Sequence, residues 1–547
     1  MSRETRKGVV RILSNYIRLL LTLMLGLLVV PLTIRWLGDD AFGIISLLGA
    51  NIGLAAIFSQ IITMSLVREL AQAYHADERT FSGHFGIICS ISLGCALLSL
   101  LSFGIVFALV PAFKISPEFI APARWFVAGQ GLFISIRVLL SPILNMYLVK
   151  ERFVGYNIWF IGVRAANILA VVLLGYIIAI DDPYTGLTAL GVLWAAFSML
   201  GIGIAAWLMA HSDPNLRLRF GKGTKESRKQ VLDTFSWNTG VQIAMNIHEQ
   251  VPPLLLNLFF GTLANAAWGI GFRFVAYIRM ATTGVQFGSD AVSARLASNE
   301  DTEQSRKQLQ RLINIQTKLT TMIALPAGAG VFLYSWPIFH AWVGHSLEDY
   351  DAVMTPAVIM SRILTIALAA RAISDTWLLV LYGAGYVRAY APWVFAGGVL
   401  APVASLVLMF MLPDELSLYA PASMFALVLL SVHLFGLPFI AGRCLQLNPW
   451  RLFLGVLPPL LATALASAAG VSLLVMTGHG GDLGFTAPIT RDAAAQMSEE
   501  LILASIAVFG VVYALLCATI VLTKNDRARI AEMIRKRRKP GVPPDSV

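Results

Sequence analysis

Eight basic side chains lie inside segments that are otherwise apolar enough to span a bilayer. On insertion scales each costs roughly 2.5–3.5 kcal/mol at the centre of a membrane helix, so eight would cost on the order of 20 kcal/mol, more than a typical folding stability. These side chains must therefore face water, protein or an anionic ligand. They are Arg18, Arg137, Arg164, Arg273, Arg279, Lys318, Arg362 and Arg371.

Acidic residues are fewer at comparable depth, where the sequence has Glu249, Asp290 and Asp375. Simple pairing therefore leaves a surplus of positive charge inside the membrane domain, which predicts a cationic lumen and an anionic cargo. Arg137 and Arg164 have no acidic residue at similar depth in their segments, so they are the first candidates for contact with the cargo. The candidate contacts are Arg18, Arg137, Arg164, Arg273 and Arg279, with snorkelling to the headgroups as the alternative for Arg18.

The seventh apolar segment has one polar face, which is predicted to line the cavity through Asn238, Gln242 and Asn246. Near its midpoint Pro252 and Pro253 remove two backbone donors, which frees the carbonyls of His248 and Glu249. Free carbonyls beside a carboxylate suit a cation, so this segment predicts a site for a coupling proton or Na⁺. The predicted coupling residues are Glu249, His248 and Asp290, and the alternative is a structural kink whose polar face packs against other helices.

The eighth segment carries two polar stripes on different faces, and at least one should face the lumen. One stripe contains Arg273, Tyr277, Met280 and Gly284, and the other contains Arg279, Thr283, Gln286 and Asp290. Tyr277 is a predicted cavity-lining residue. The alternative for Arg273 or Arg279 is a structural ion pair with Glu249 on the neighbouring segment. In the tenth segment Arg371 and Asp375 are four residues apart, a spacing that favours an ion pair.

The elements that position these residues follow from composition. With 57% hydrophobic and 13% charged residues over 547 positions, the chain belongs to the polytopic membrane class and is predicted to be all-α. About fourteen apolar runs are long enough to span, near residues 12–34, 42–67, 83–111, 120–148, 154–180, 186–210, 235–260, 264–289, 312–334, 354–380, 390–412, 420–441, 452–476 and 500–523.

The loops between these segments test the count, because short cytoplasmic loops should be rich in Lys and Arg. Alternate loops carry most of the basic residues, and the other set holds only Arg35, Lys114, Arg124 and Arg491. A missed or extra helix would invert every later loop. The sequence therefore predicts an even number of spans, with both termini cytoplasmic.

A weak internal repeat predicts two lobes of six helices. The run from Trp36 to Gly43 follows the first segment and is echoed by the run from Phe260 to Gly269 after the seventh. Repeats six helices apart with the same orientation are typical of lobes related by an axis along the membrane normal. The predicted divisions are 1–230 for the N-terminal lobe, 231–445 for the C-terminal lobe, and 446–547 for an extra helix pair and a basic tail.

The sequence lacks the motifs that indicate several other classes of function. The net charge of +10 lies in short loops and the tail without an aromatic-rich basic domain, so no nucleic acid partner is expected. The chain has no GxxxxGK[ST] phosphate loop and no HExxH motif, so neither cofactor nor metal is predicted beyond the coupling ion. The longest external loop, about 477–499, offers few groups for chemistry, which weighs against a membrane polymerase or ligase. The sequence therefore indicates a non-enzymatic membrane protein.

The first 80 residues resemble the polysaccharide-transport and O-antigen flippase (Wzx-like) branch of the MATE-related exporter superfamily. The resemblance rests on Asn15-Tyr16, Pro31-Leu32, the run from Arg35 to Gly43, and Arg68-Glu69-Leu70-Ala71. It implies alternating access between two lobes, which would move an anionic polyprenyl-pyrophosphate-linked oligosaccharide to the outer leaflet for surface polysaccharide or lipopolysaccharide synthesis. The chain departs from the twelve-helix pattern of many such flippases, since its extra pair is similar to that of the lipid II flippase branch.

The predicted function is therefore a flippase of lipid-linked glycan that contacts membrane lipids, with a polysaccharide polymerase or export machinery as a further partner. One alternative is a MATE-type cation-coupled drug antiporter, which would place carboxylates in the lumen of its first lobe. Helices 1 to 6 have none at depth. The other alternative is a membrane scaffold without transport.

Overall fold

The computed structural model describes residues 3–55, 70, 74, 78–150, 152–221, 225–286, 289–297, 302–476, 498–524 and 526–528. Every regular element within these residues is helical, as the apolar runs predict. The first half contains α1 (Arg3–Ala55), α2 (Glu78–Leu109), α3 (Pro117–Val149), α4 (Phe153–Val171), which a π turn extends over Val172–Ile177, and α5 (Pro183–His211).

The second half begins after the basic loop that follows α5. It contains α6 (Lys225–Phe260), α7 (Thr262–Gln286), α8 (Ser289–Ala297), α9 (Thr302–Val343), α10 (Tyr350–Gly383), α11 (Val387–Met411), α12 (Asp414–Ser417), α13 (Ala420–Leu429) and α14 (Leu437–Leu445), the last two joined by a π turn over Leu430–Gly436. The final pair is α15 (Pro449–Leu474) and α16 (Glu499–Leu516), the latter extended by a π turn over Cys517–Val521.

Eleven helices of the described residues are long and apolar enough to cross a membrane. Two further predicted spans are present as helices, α6 and α7, but they do not reach that apolar standard because they carry the polar faces seen in the sequence. The predicted span 42–67 begins as the second part of α1, and its residues 56–67 lie outside the described part. The chain is thus an all-α, multi-pass membrane protein. The predicted number of fourteen spans is approximate.

Two glycines mark equivalent turns in the two halves. Gly38 interrupts α1 with φ +83°, so that α1 is in fact two helices joined at a kink. Gly261 separates α6 from α7 with φ +82°. An L side chain is strained at such φ values, which is why both turns use glycine. The same conformation at both positions agrees with the repeat between the runs that start at Trp36 and Phe260, whereas the boundaries at 230 and 445 stay a prediction.

Buried apolar side chains form two large clusters. One is built mainly from α1 to α5, and the other from α6 to α15. The final pair of helices packs on the outside of α9, where the Tyr334 hydroxyl lies 2.7 Å from Ser505 Oγ and the Tyr513 hydroxyl donates to the Met322 carbonyl at 2.7 Å. α15 and α16 are therefore an addition beside the second half.

Hydrogen bonds join the two halves at the end of the bundle where Gly38 lies. The Asp39 carboxylate accepts from the backbone N–H groups of Glu348 at 3.0 Å and Asp349 at 2.8 Å. The Lys114 ammonium donates to the Phe259 carbonyl at 3.1 Å, and Asp40 accepts from the Thr262 hydroxyl. At the opposite end the polar contacts Lys150–Asp213 and Arg306–Gln446 each stay within one half. The halves are thus fastened together at the Gly38 end.

Candidate functional site

The two polar stripes predicted for this segment lie on different sides of α7 and contact different neighbours. Tyr277, on the first stripe, lies against α1: a Cβ atom at Gly26 would come within 2.3 Å of its hydroxyl, so a larger residue at Gly26 would require the Tyr277 side chain to shift. Arg279, on the second stripe, reaches α10, where its Nε donates to Asp375 Oδ2 at 2.7 Å. α7 therefore separates two groups of charges, one between the halves and one inside the second half.

Four arginines meet between the halves, and we call them the arginine cluster: Arg18 on α1, Arg137 on α3, Arg164 on α4 and Arg273 on α7. The charges of Arg137 and Arg164 interact, and so do those of Arg164 and Arg273, which places all three in one region. Arg164 also interacts electrostatically with Tyr277. The structure thus brings Arg137, Arg164 and Arg273 close to Tyr277, and their role in lining a lumen stays a prediction.

Aromatic rings of α4 support the arginine cluster. The Arg18 guanidinium carbon lies 5.1 Å from the centroid of the Phe160 ring and 5.5 Å from that of Tyr156. The Arg164 guanidinium carbon lies 5.8 Å from the Phe160 centroid. Tyr156, Phe160 and Arg164 follow at intervals of four on α4, so they share one face of the helix. Cation–π contacts of this kind hold a guanidinium in place without neutralising its charge.

No carboxylate forms an ion pair with the arginine cluster among the residues that the structure describes. Arg164 is exposed, and Arg18, Arg137 and Arg273 are half-buried, so their charges face an accessible space. Four like charges in one region repel one another, and an anion between them would remove that repulsion. The arrangement fits a multiply charged group such as a phosphate or pyrophosphate, which arginine binds with paired N–H donors.

The second group of charges, which we call the charge quartet, consists of Glu249 on α6, Arg279 on α7, and Arg371 and Asp375 on α10. Glu249 Oε1 accepts from Arg279 Nη1 at 3.1 Å and from Arg371 Nη1. Asp375 accepts from Arg279 Nε at 2.7 Å and lies 3.8 Å from Arg371 Nε. Two carboxylates and two guanidiniums thus neutralise one another.

Burial makes the charge quartet costly to disturb. The Arg371 side chain is 2% exposed and the Glu249 side chain 22%, so water screens their attraction poorly. The predicted pair between Arg371 and Asp375 is present, but Glu249 is the closer partner of Arg371. The structural alternative for Arg279, neutralisation of Glu249, also matches the geometry. The helix α6 continues through Pro252 and Pro253 without a break.

Two buried histidines lie beside the charge quartet. The His248 ring packs on Phe425 with centroids 4.3 Å apart. His433 lies in the π turn between α13 and α14, and one of its ring nitrogens is 2.9 Å from Ser374 Oγ on α10. Both line a small cavity with Arg371 that has room for about one water. No group of three or more potential metal ligands occurs among the described residues.

The other predicted site residues are placed as follows. Asn246 is buried and its Nδ2 donates to the Gln242 carbonyl at 2.9 Å, so Gln242 and Asn246 share one face of α6. The side chains of Asn238 and Asp290 lie outside the described residues. Lys318 is paired with Asp526 at 2.7 Å, and Arg362 Nε donates to Ser335 Oγ at 2.9 Å. Neither of these two cations belongs to the arginine cluster.

Sequence reasoning missed three contributors. Phe160 and Tyr156 hold arginines, and their spacing from Arg164 on α4 was a usable signal. His433 lies next to the charge quartet but is isolated in an apolar sequence, so no local pattern marks it. Its π turn is a feature that often accompanies functional sites, but a π turn is visible only in a structure.

Solved structures of other proteins share this architecture. A lipid II flippase, MurJ, in an inward closed conformation superposes with a TM-score of 0.63 at 12% identity, over 96% of this chain and 100% of that chain. This chain has the fold of MATE and lipid II flippase transporters. An inward-facing multidrug resistance MATE transporter of the MOP superfamily gives a TM-score of 0.59 at 13% identity, over 78% of this chain and 95% of that chain.

A third solved structure is a MOP superfamily transporter from Pyrococcus furiosus whose binding pocket is described as having reverse polarity. It gives a TM-score of 0.55 at 12% identity, over 82% of this chain and 94% of that chain. No family model and no curated protein matches the sequence. Identities this low establish the fold alone.

Proposed function

We propose that this protein is a flippase that carries an anionic, lipid-linked glycan across the membrane by alternating access. The observation that carries the proposal is the arginine cluster, which places four cations between the two halves without a carboxylate partner in the described part of the chain. A pyrophosphate supplies the compensating charge, and the space between the halves would allow the attached lipid to stay in the bilayer. No bond of the cargo is made or broken, so the activity is transport rather than catalysis.

Within the superfamily, the sequence resemblance favours a Wzx-like flippase of O-antigen or another surface polysaccharide. The fuller coverage of the lipid II flippase, 96% of this chain against 78% for the MATE transporter, supports a flippase with an extra helix pair. The cargo class common to both is a polyprenyl-pyrophosphate glycan. A polysaccharide polymerase or export machinery would then receive the product.

The proposed location is a bacterial inner membrane, as the resemblance to flippases implies. Both termini are cytoplasmic in this proposal, as the distribution of basic loops predicts. In that orientation the Gly38 end faces outward, and the bonds of Asp39 and Lys114 to the second half close the outer side. Release of cargo to the outer leaflet would require these bonds to break. They are therefore part of the alternating-access cycle that we propose.

Coupling of transport to a proton or Na⁺ is a further part of the proposal, with Glu249, His248 and Asp290 as the groups involved. Glu249 accepts from two guanidiniums, so an external cation would reach it only after Arg279 or Arg371 moves away. Coupling would therefore accompany a rearrangement of the charge quartet. Transport in vesicles that keeps its pH and Na⁺ dependence in Glu249→Gln would refute this role.

The deciding experiment measures thermal stabilisation of the detergent-purified protein by three probes: a polyprenyl-pyrophosphate glycan, the corresponding polyprenol without pyrophosphate, and a hydrophobic cationic dye. We expect stabilisation by the pyrophosphate form alone and its loss in Arg164→Gln. Arg388→Gln, which removes an exposed arginine outside the cluster, should keep the effect. Stabilisation by the dye alone would instead identify a MATE-type antiporter, and no stabilisation by any probe would favour a scaffold.

A further inference from the structure

A second polar site lies away from both charge groups, where the first turns of α9 meet the segment that follows α16. An open cavity of about 510 Å³ occupies this junction. Its polar lining consists of Lys307, Gln310, Arg311, Asn314, Thr523 and Asp526. The distribution of basic loops places this junction at the cytoplasmic surface of the membrane.

One face of α9 changes from cationic to apolar along its length. Lys307, Arg311, Ile315 and Leu319 follow one another at intervals of four residues, so they form a single stripe. Ile315 is 46% exposed and Leu319 is 41% exposed. From Lys307 to Leu319 the stripe rises by twelve residue steps, or about 18 Å of helix, which is close to the distance from the headgroup region to the middle of a bilayer. Two cations followed by two exposed aliphatic side chains match the polarity of an anionic lipid.

The opposite wall of the cavity is fixed by hydrogen bonds. Asp526 Oδ2 accepts from the Thr523 N–H at 3.0 Å, and the Asp526 N–H donates to Thr523 Oγ1 at 3.2 Å, a reciprocal cap at the start of a helical turn. Lys318 donates to the same carboxylate at 2.7 Å. The hydrogen bonds from Lys318 and Thr523 lower the pKa of Asp526 to about 2, so the carboxylate is ionised and already neutralised by Lys318 at neutral pH.

Apart from Asp526, the charged residues that line this cavity in the described part of the chain are two cations, Lys307 and Arg311. Arg311 is exposed, and Lys307 pairs with Glu303 at 2.7 Å in a contact where both side chains are more than 70% exposed. An exposed ion pair of this kind contributes little, so an anion can replace Glu303 as the partner of Lys307. The cavity therefore offers two cations to a ligand phosphate.

We propose that this cavity binds the headgroup of an anionic glycerophospholipid from the surrounding membrane. The phosphate contacts Lys307 and Arg311, the polar headgroup contacts Asn314 and Thr523, and an acyl chain lies along Ile315 and Leu319. The lipid fastens the end of α16 to α9 at the membrane surface. This site is separate from the arginine cluster and does not depend on which cargo is transported.

The test uses the delipidated full-length protein and compares phosphatidylglycerol, phosphatidylcholine and inorganic phosphate as probes, with bound lipid counted by native mass spectrometry and stability followed by thermal unfolding. We expect phosphatidylglycerol to bind and stabilise, and the double variant Lys307→Gln/Arg311→Gln to bind it roughly thirtyfold more weakly, as two lost cations at a membrane surface imply. Arg217→Gln/Arg219→Gln, which removes two exposed arginines from the other half, is the matched control.

Three results would overturn the proposal: equal binding of phosphatidylcholine, equal loss in the control pair, or equal stabilisation by inorganic phosphate, which would indicate a site for a free anion. The variants carry exposed substitutions, so folding is checked by their unchanged unfolding temperature in phosphatidylcholine. Because no transported substrate enters the measurement, its failure would leave the proposed flippase activity untouched, and failure of the flippase test would leave this site untouched.

Discussion

The arginine cluster and the charge quartet use similar residues in opposite ways. In the arginine cluster, Arg18 and Arg164 lie against aromatic rings of α4, and no member of the cluster has a carboxylate partner among the described residues. In the charge quartet, Arg371 and Arg279 are neutralised by two carboxylates. Both groups meet at α7, which contributes one arginine to each.

This difference separates binding from stability. A charged side chain without a partner in the protein can gain interaction energy when a ligand binds. A charged side chain that is already paired within the protein contributes that energy to folding instead. Substitutions in the charge quartet should therefore lower the unfolding temperature, and substitutions in the arginine cluster should lower affinity for an anion. The two measurements together test whether this division is correct.

The largest effect is expected for Glu249→Gln. Removal of this carboxylate leaves Arg279 and Arg371 close together, with Asp375 as the one acidic partner they still share among the described residues, which should cost about 3–5 kcal/mol of stability. Thermal unfolding in detergent measures the loss. Glu415→Gln, at an exposed acidic residue, should change it little. An unfolding temperature equal to that of the parent would mean that the quartet does not stabilise the fold.

A somewhat smaller loss is expected for Arg279→Gln, because Arg371 still contacts both carboxylates. Two charge-assisted hydrogen bonds disappear, at a cost of about 2–3 kcal/mol, while affinity for a polyprenyl-pyrophosphate probe should stay the same. Unfolding temperature and probe binding are measured on the same preparation. If Arg279→Gln weakens probe binding without lowering the unfolding temperature, Arg279 is a binding residue, as the sequence predicted.

Arg164→Gln should give the reverse result. Loss of one guanidinium contact to a pyrophosphate should weaken binding by about 1.5–3 kcal/mol, or roughly tenfold to a hundredfold. Stability should be equal or higher, because repulsion with Arg137 is relieved. Probe titration followed by thermal shift measures both quantities. A stability loss as large as that of Glu249→Gln would contradict the division between the two groups.

The smallest effect is expected for Phe160→Leu, which keeps an apolar side chain but removes the ring beneath Arg18 and Arg164. Each cation–π contact contributes about 0.5–1 kcal/mol, so binding of the pyrophosphate probe should weaken by a few-fold. Phe160→Tyr preserves the ring and should restore affinity. If leucine and tyrosine bind the probe equally well, the ring has no role in positioning the arginines.

Much of the fold was predictable because a membrane imposes long apolar runs. The helices appear where those runs lie, and the repeated turn was visible in the glycines that became Gly38 and Gly261. The arginine cluster was also predictable in part, since Arg137 and Arg164 had no acidic residue near them in sequence. The partners of Glu249 were only offered as alternatives, because pairing between α6, α7 and α10 depends on how distant helices pack.

The sequence by itself determined the class of the protein, the position of its helices and the excess of positive charge at depth, because hydropathy and charge are properties of local stretches. Only the tertiary structure decided which charges are paired within the protein and which face an accessible space. Arg273 and Arg279 are six residues apart on one helix, yet one faces Phe42 of the first half and the other faces Asp375 of the second. The physical reason is that a helix turns its side chains toward different neighbours, and those neighbours come from distant parts of the chain.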